Sequence, residues 1–123
     1  MRILIAEDDF ASRKFLSKHL QKYGECDITV DGEEAMEAFL MALEDEEPYD
    51  LLCLDVMMPQ MDGYQVLEKV RKMDKKVKII MTTALNEEKN VKKAFDMECT
   101  AYTGKPIDVD KFDVLIKKLF ALP

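Results

Sequence analysis

Leu51-Leu52-Cys53-Leu54-Asp55-Val56-Met57-Met58-Pro59 is the stretch whose reading decides the fold. Four apolar residues in a row leave no polar face, which is how a strand reads when both faces of its parallel sheet are covered. An acid, Asp55, closes the run, and Pro59 fixes the loop that follows it. Gly63 marks the passage from that loop into a helix, whose apolar stripe is Val66, Leu67 and Val70.

Outward from this unit, the same alternation fills the chain. Further strands are expected at Ile3–Ala6, Asp27–Val30, Val77–Met81 and Thr100–Tyr102. The first and fourth are again nearly continuous apolar runs. Between them lie amphipathic stretches. Phe15, Leu16, His19 and Leu20 mark the first helix. The second is expected from about Gly32 to Glu44, capped by Asp31, with acids in its first turn and Ala35, Phe39 and Leu43 inward. Val91, Ala94 and Phe95 mark a short fourth helix, and Phe112, Leu115, Ile116 and Leu119 give the last its stripe. Strict strand–helix alternation implies a doubly wound α/β fold, a parallel sheet with helices on both faces. The acidic run Glu44–Glu47 reads as a solvated helix end.

The chain has 123 residues, enough for one core and too few for two, so residues 1–123 read as a single domain. Its apolar share of 48% and charged share of 35% suit a globular chain. A net charge of −7 argues against direct binding to nucleic acid or to an anionic membrane surface. No apolar run approaches membrane-spanning length, and the short one after Met1 does not read as a secretion signal. Cys26, Cys53 and Cys99 are odd in number, lack metal-ligand spacing and lie in apolar segments. Buried free thiols in a reducing cytoplasm are the expectation.

In such sheets function sits outside the carboxyl ends of the strands. Glu7-Asp8-Asp9 follow the first strand, Asp55 the third, Thr82-Thr83-Ala84 the fourth and Lys105-Pro106 the fifth. Carboxylates brought together there repel, and stay ionised at neutral pH only beside a cation. A hard divalent ion with oxygen ligands, Mg²⁺ above all, suits such a site. Beside a carboxylate nucleophile it also suits phosphoryl transfer, with Lys105 as a point charge and a threonine hydroxyl as donor.

Asp8-Asp9, the segment Asp55-Val-Met-Met-Pro59-Gln-Met-Asp62-Gly63, Thr83-Ala84 and Lys105-Pro106 together resemble the signature of response-regulator receiver domains, over the whole chain. Each piece alone is common; all four in order at strand ends are specific. The resemblance implies a flavodoxin-like (βα)5 fold with a five-stranded sheet in the order 2-1-3-4-5. It implies Asp55 as phosphoacceptor, and Asp9, Asp55 and the Met57 carbonyl as direct Mg²⁺ ligands, with Asp8 acting through water. Lys105 would hold the phosphoryl group, Thr83 and Ala84 would line the switch, and Tyr102 would be its aromatic partner. Lys105-Pro106 would be a cis bond. The implied partners are a histidine kinase or phosphotransfer protein and a downstream effector on the fourth helix, fifth strand and fifth helix. The protein would be a cytoplasmic monomer or a phosphorylation-dependent dimer, a switch rather than an enzyme.

Other readings stand beside these. Glu7 is expected at the surface, His19 in packing or at the surface, and the nine methionines mostly as gap fillers. Thr82 and Thr83 are both candidates for the switch hydroxyl, Ala84 favouring Thr83. Met57 and Leu85, at the positions that tune phosphoryl loss in the family, are both apolar, so rapid turnover is not expected. The second helix and its loop run about one turn longer than many members. A phosphohydrolase would need a second acid where Met57 stands. An FMN-binding module would need a phosphate loop where Glu7-Asp8-Asp9 would repel phosphate. A phosphorylation-independent binding module is the remaining alternative.

Overall fold

The computed structural model describes residues 1–84 and 88–123; Leu85 lies outside the described residues. Five strands alternate with five helices: β1 Arg2–Ala6, α1 Phe10–Leu20, β2 Glu25–Thr29, α2 Gly32–Glu44, β3 Leu51–Asp55, α3 Gly63–Met73, β4 Lys78–Thr83, α4 Glu88–Asp96, β5 Ala101–Gly104 and α5 Val109–Leu119. The strands form one parallel sheet in the order β2-β1-β3-β4-β5. This is the doubly wound, flavodoxin-like order.

Alternating side chains divide the core in two. Leu4, Ala6, Leu52, Leu54, Ile79 and Met81 face α2, α3 and α4, meeting Phe39, Leu67 and Val70. Ile3, Ile5, Leu51, Cys53 and Ile80 face α1 and α5, meeting Leu16, Leu20, Phe112 and Ile116. Every residue of β3 is buried, as the opening run requires. Burial of each large side chain contributes about 1.5–3 kcal/mol.

Helix starts are set locally. Asp9, Asp31, Asp62 and Asp108 each accept a first-turn backbone N–H from their cap position. Asp62 and Gln65 complete a capping box on α3. At the sheet's other end the buried Arg71 of α3 donates to the carbonyls of Glu98, Asp74 and Val77 and to Thr100 Oγ1. It thereby ties α3 to both ends of the α3–β4 connection and to the turn after α4. No described helix is long and apolar enough to cross a membrane.

Several expectations are corrected. β2 begins at Glu25 rather than Asp27 and ends before Val30, which is exposed. β4 runs on to Thr83, and β5 spans Ala101–Gly104, so Lys105 follows it directly. Leu43 is exposed, and Ala42 with Met36 takes the inward place on α2; the stripe turns by one residue. Phe95 is exposed on α4. Cys53 and Cys99 are buried free thiols, while Cys26 is half-buried. His19 stacks on Phe15 at 4.4 Å between ring centroids, a packing role. Asp45–Glu47 are exposed beyond α2, the solvated end expected.

Candidate functional site

Parallel strands put their carboxyl ends on one edge, and there the acids meet. Glu7, Asp8 and Asp55 each offer a carboxylate oxygen within 4.8 Å of the others. Register explains the convergence. Ile3 and Ile5 point to the α1/α5 face, and Glu7 continues that alternation two residues on. Leu51 and Cys53 lead in the same way to Asp55.

Glu7 is fully buried and Asp55 is 4% exposed. One cation serves both. Lys105 Nζ donates to Asp55 Oδ2 at 3.2 Å and is ion-paired with Glu7 Oε1. Asp55 Oδ1 accepts the Met57 backbone N–H at 3.3 Å. Burial, with Asp55 close by, pushes the Glu7 carboxyl above the usual carboxylate range. Burial alone would lower the Lys105 ammonium, but its bond to Glu7 and the charge of Asp55 outweigh that and raise it. Arg13 Nη1 donates to the carbonyls of Glu7 and Asp8, holding the turn after β1.

Asp9, expected among the metal ligands, has its carboxylate engaged at a helix start. Its carboxylate accepts the Ser12 backbone N–H at 2.9 Å as the cap of α1. That bond holds its carboxyl below the usual range. It does not belong to the trio that forms among the described residues. Glu7, expected at the surface, is in that trio instead. The acid pair at the sheet edge is therefore Glu7-Asp8, one residue earlier than the pair expected. Period-two continuation of Ile3 and Ile5 is the sequence signal that finds it.

The remaining residues fall as follows. Thr83 is buried at the end of β4, and the neighbouring Ala84 is exposed. Tyr102, half-buried on β5, packs on the α2/α3/α4 side and is hydrogen-bonded to Tyr64 of α3. Burial, first of all, pushes its phenol up to about 12. Tyr64 donates to the Asn90 carbonyl of α4 at 3.2 Å. Lys105-Pro106 is cis. Pro59 accepts from the Met61 N–H at 2.8 Å, and Gly63 N–H bonds the Val56 carbonyl at 2.9 Å. Gly63 must be glycine for a steric reason: a Cβ there would lie 2.3 Å from the Asp55 carbonyl oxygen. Met57, two residues beyond Asp55, is exposed.

A parallel sheet of this order thus carries buried acids and a lysine at its carboxyl edge. The response regulator receiver domain model matches residues 3–117, and the chain belongs to that family. It is thus a receiver domain of the two-component response regulators. It is 36% identical over 120 residues to a probable transcriptional regulator, ycf29, of Porphyra purpurea, covering 95% of this chain and 55% of that protein. It is 33% identical over 112 residues to the chemotaxis protein CheY of Treponema pallidum, covering 89% of this chain and 76% of that protein. Among solved structures, the CheX-CheY-BeF3-Mg+2 complex of Borrelia burgdorferi holds a chain 29% identical, with a TM-score of 0.85, covering 98% of this chain and 89% of that one. The chain spans about half the length of the ycf29 relative it matches.

Proposed function

We propose that this domain is a phosphoacceptor switch that takes a phosphoryl group from a histidine kinase or phosphotransfer protein onto Asp55. The observation that supports it is the Asp55 carboxylate, nearly buried at the end of β3, held by Lys105 at 3.2 Å and flanked by two further acids. A carboxylate is a competent nucleophile for an acyl phosphate. Its burial and its donors, Lys105 and the Met57 N–H, hold it in place.

The donor set fits a hard divalent cation such as Mg²⁺: among the described residues three carboxylates meet one lysine, which leaves excess negative charge. Glu7, Asp8 and Asp55 would hold it, with the Met57 carbonyl carried over from the family pattern. Such an ion, when bound, supplies charge neutralisation for the phosphoryl oxygens. Lys105 then exchanges its Asp55 contact for a phosphoryl oxygen, and Thr83 and the Ala84 backbone serve as further donors. Tyr102 reports the change through Tyr64 to α4. The output surface is the α4–β5–α5 face, where Phe95 and Val114 are exposed. Phosphorylation favours one of two arrangements of that face only as far as it binds one better. The domain acts in the cytoplasm, without direct contact to nucleic acid or membrane, as a monomer or a phosphorylation-dependent dimer. Its own chemistry is limited to gaining and losing the phosphoryl group.

The test is intact mass after incubation with acetyl phosphate or beryllofluoride, with and without Mg²⁺. A magnesium-dependent adduct absent from Asp55→Asn is the expected result. Full labelling of Asp55→Asn would refute the assignment. A wild type that takes no adduct would favour a phosphorylation-independent binding module.

A further inference from the structure

One buried polar group is unaccounted for. Thr82 is fully buried, and among the described residues its Oγ1 has no hydrogen-bond partner. It lies in register with Asp55 on β3 and with Thr103 on β5. Cys53 and Ile80, the register pair two residues earlier, both point to the α1/α5 face. Alternation therefore places the side chains of Asp55 and Thr82 on that same face, one strand spacing apart. An orphan buried hydroxyl costs the fold free energy.

We infer that Thr82 is a positioning residue for Asp55, whose hydroxyl donates to the acyl oxygen of Asp55 once that residue is phosphorylated. The inference rests on Asp55 being the phosphoacceptor. In the resting site, Asp55 Oδ2 accepts from Lys105 and Oδ1 from the Met57 N–H. When Lys105 turns to the phosphoryl group, an Asp55 oxygen loses its donor. The donor beside it that lacks an acceptor is Thr82.

The consequence falls on phosphoryl loss. In hydrolysis a water oxygen bonds to phosphorus and the phosphorus–oxygen bond to Asp55 breaks. The bonding pair returns to Asp55 as carboxylate, the water's proton passes to solvent, and inorganic phosphate leaves. Negative charge grows on the Asp55 oxygens as this happens. A hydroxyl aimed there is worth more in the transition state than against the neutral acyl oxygen of the ground state. Thr82 therefore shortens the phosphoryl lifetime.

The experiment follows loss of the adduct by intact mass after acetyl phosphate is removed, in wild type, Thr82→Val and Thr82→Ser, with thermal unfolding of each. Thr82→Val keeps the shape and removes the donor; its lifetime should lengthen by about three- to tenfold while its melting temperature holds or rises. Thr82→Ser keeps the hydroxyl and should stay near wild type. A purely structural orphan would give Thr82→Val greater stability with an unchanged lifetime, which overturns the inference. So would a shorter lifetime, or a folded Thr82→Val that takes no adduct. A wild type that takes no adduct fails the Asp55 reading, and this inference with it.

Discussion

Replacing Lys105 by Met tests the electrostatics of the site without reference to phosphorylation. In a chelator-containing buffer the variant leaves Glu7, fully buried, and Asp55 facing each other with no cation between them. Two unit charges 3.2 Å apart interact by about 5 kcal/mol at an effective dielectric of about 20. Lys105 is 20% exposed and the pocket can relax, so a loss of about 2–4 kcal/mol near pH 7.5 is expected. The cost should depend on pH. The Glu7 carboxyl already stands above its usual range, and the lysine it loses was pulling it down. A carboxyl raised in the folded state contributes stability that is fully present below its unfolded value, about 4.3, and lost as pH rises through the folded value. Lys105, raised in the wild type, stays charged throughout that window and adds no slope there. The deficit should therefore be smaller at about pH 5 than at about pH 7.5, because a raised Glu7 carboxyl takes up protons as pH falls. Urea denaturation of both proteins at the two pH values measures it. A deficit that does not change with pH, or one below about 1 kcal/mol near pH 7.5, would refute the reasoning.

Two further outcomes are expected. Gly63→Ala should lose about 1–3 kcal/mol in urea denaturation, because its Cβ meets backbone of Asp55 and Val56 that cannot yield cheaply, and acetyl-phosphate labelling should fall with it. In thermal unfolding with and without Mg²⁺, Asp8→Asn should lose the stabilisation by the ion while Asp9→Asn keeps it, since Asp9 is occupied as a helix cap; the reverse pattern would return Asp9 to the metal set.

The architecture was legible because it rests on local periodicity. The apolar run Leu51–Leu54 needs no partner to be read as a doubly covered strand, and Asp31 before Gly32-Glu33-Glu34 needs none to be read as a cap. Where a stripe could rotate by one residue, the sequence could not choose. Leu43 and Ala42 are both apolar, and only packing against the sheet decided between them. The acids show the same limit at higher stakes. Glu7, Asp8 and Asp9 are adjacent carboxylates, and which two reach the pocket depends on where β1 stops alternating and α1 begins.

By itself, the sequence determined the parallel α/β class and placed Asp55 and Lys105 at the carboxyl ends of their strands. Each follows from residue type and spacing along one segment. The tertiary structure decided that Lys105 pairs with a buried Glu7 as well as Asp55, that Asp9 is a cap, and that the Thr82 hydroxyl, in register with Asp55, has no partner among the described residues. Those are relations between strands, set by register and face. No run of residues states them until the sheet has brought its edges together.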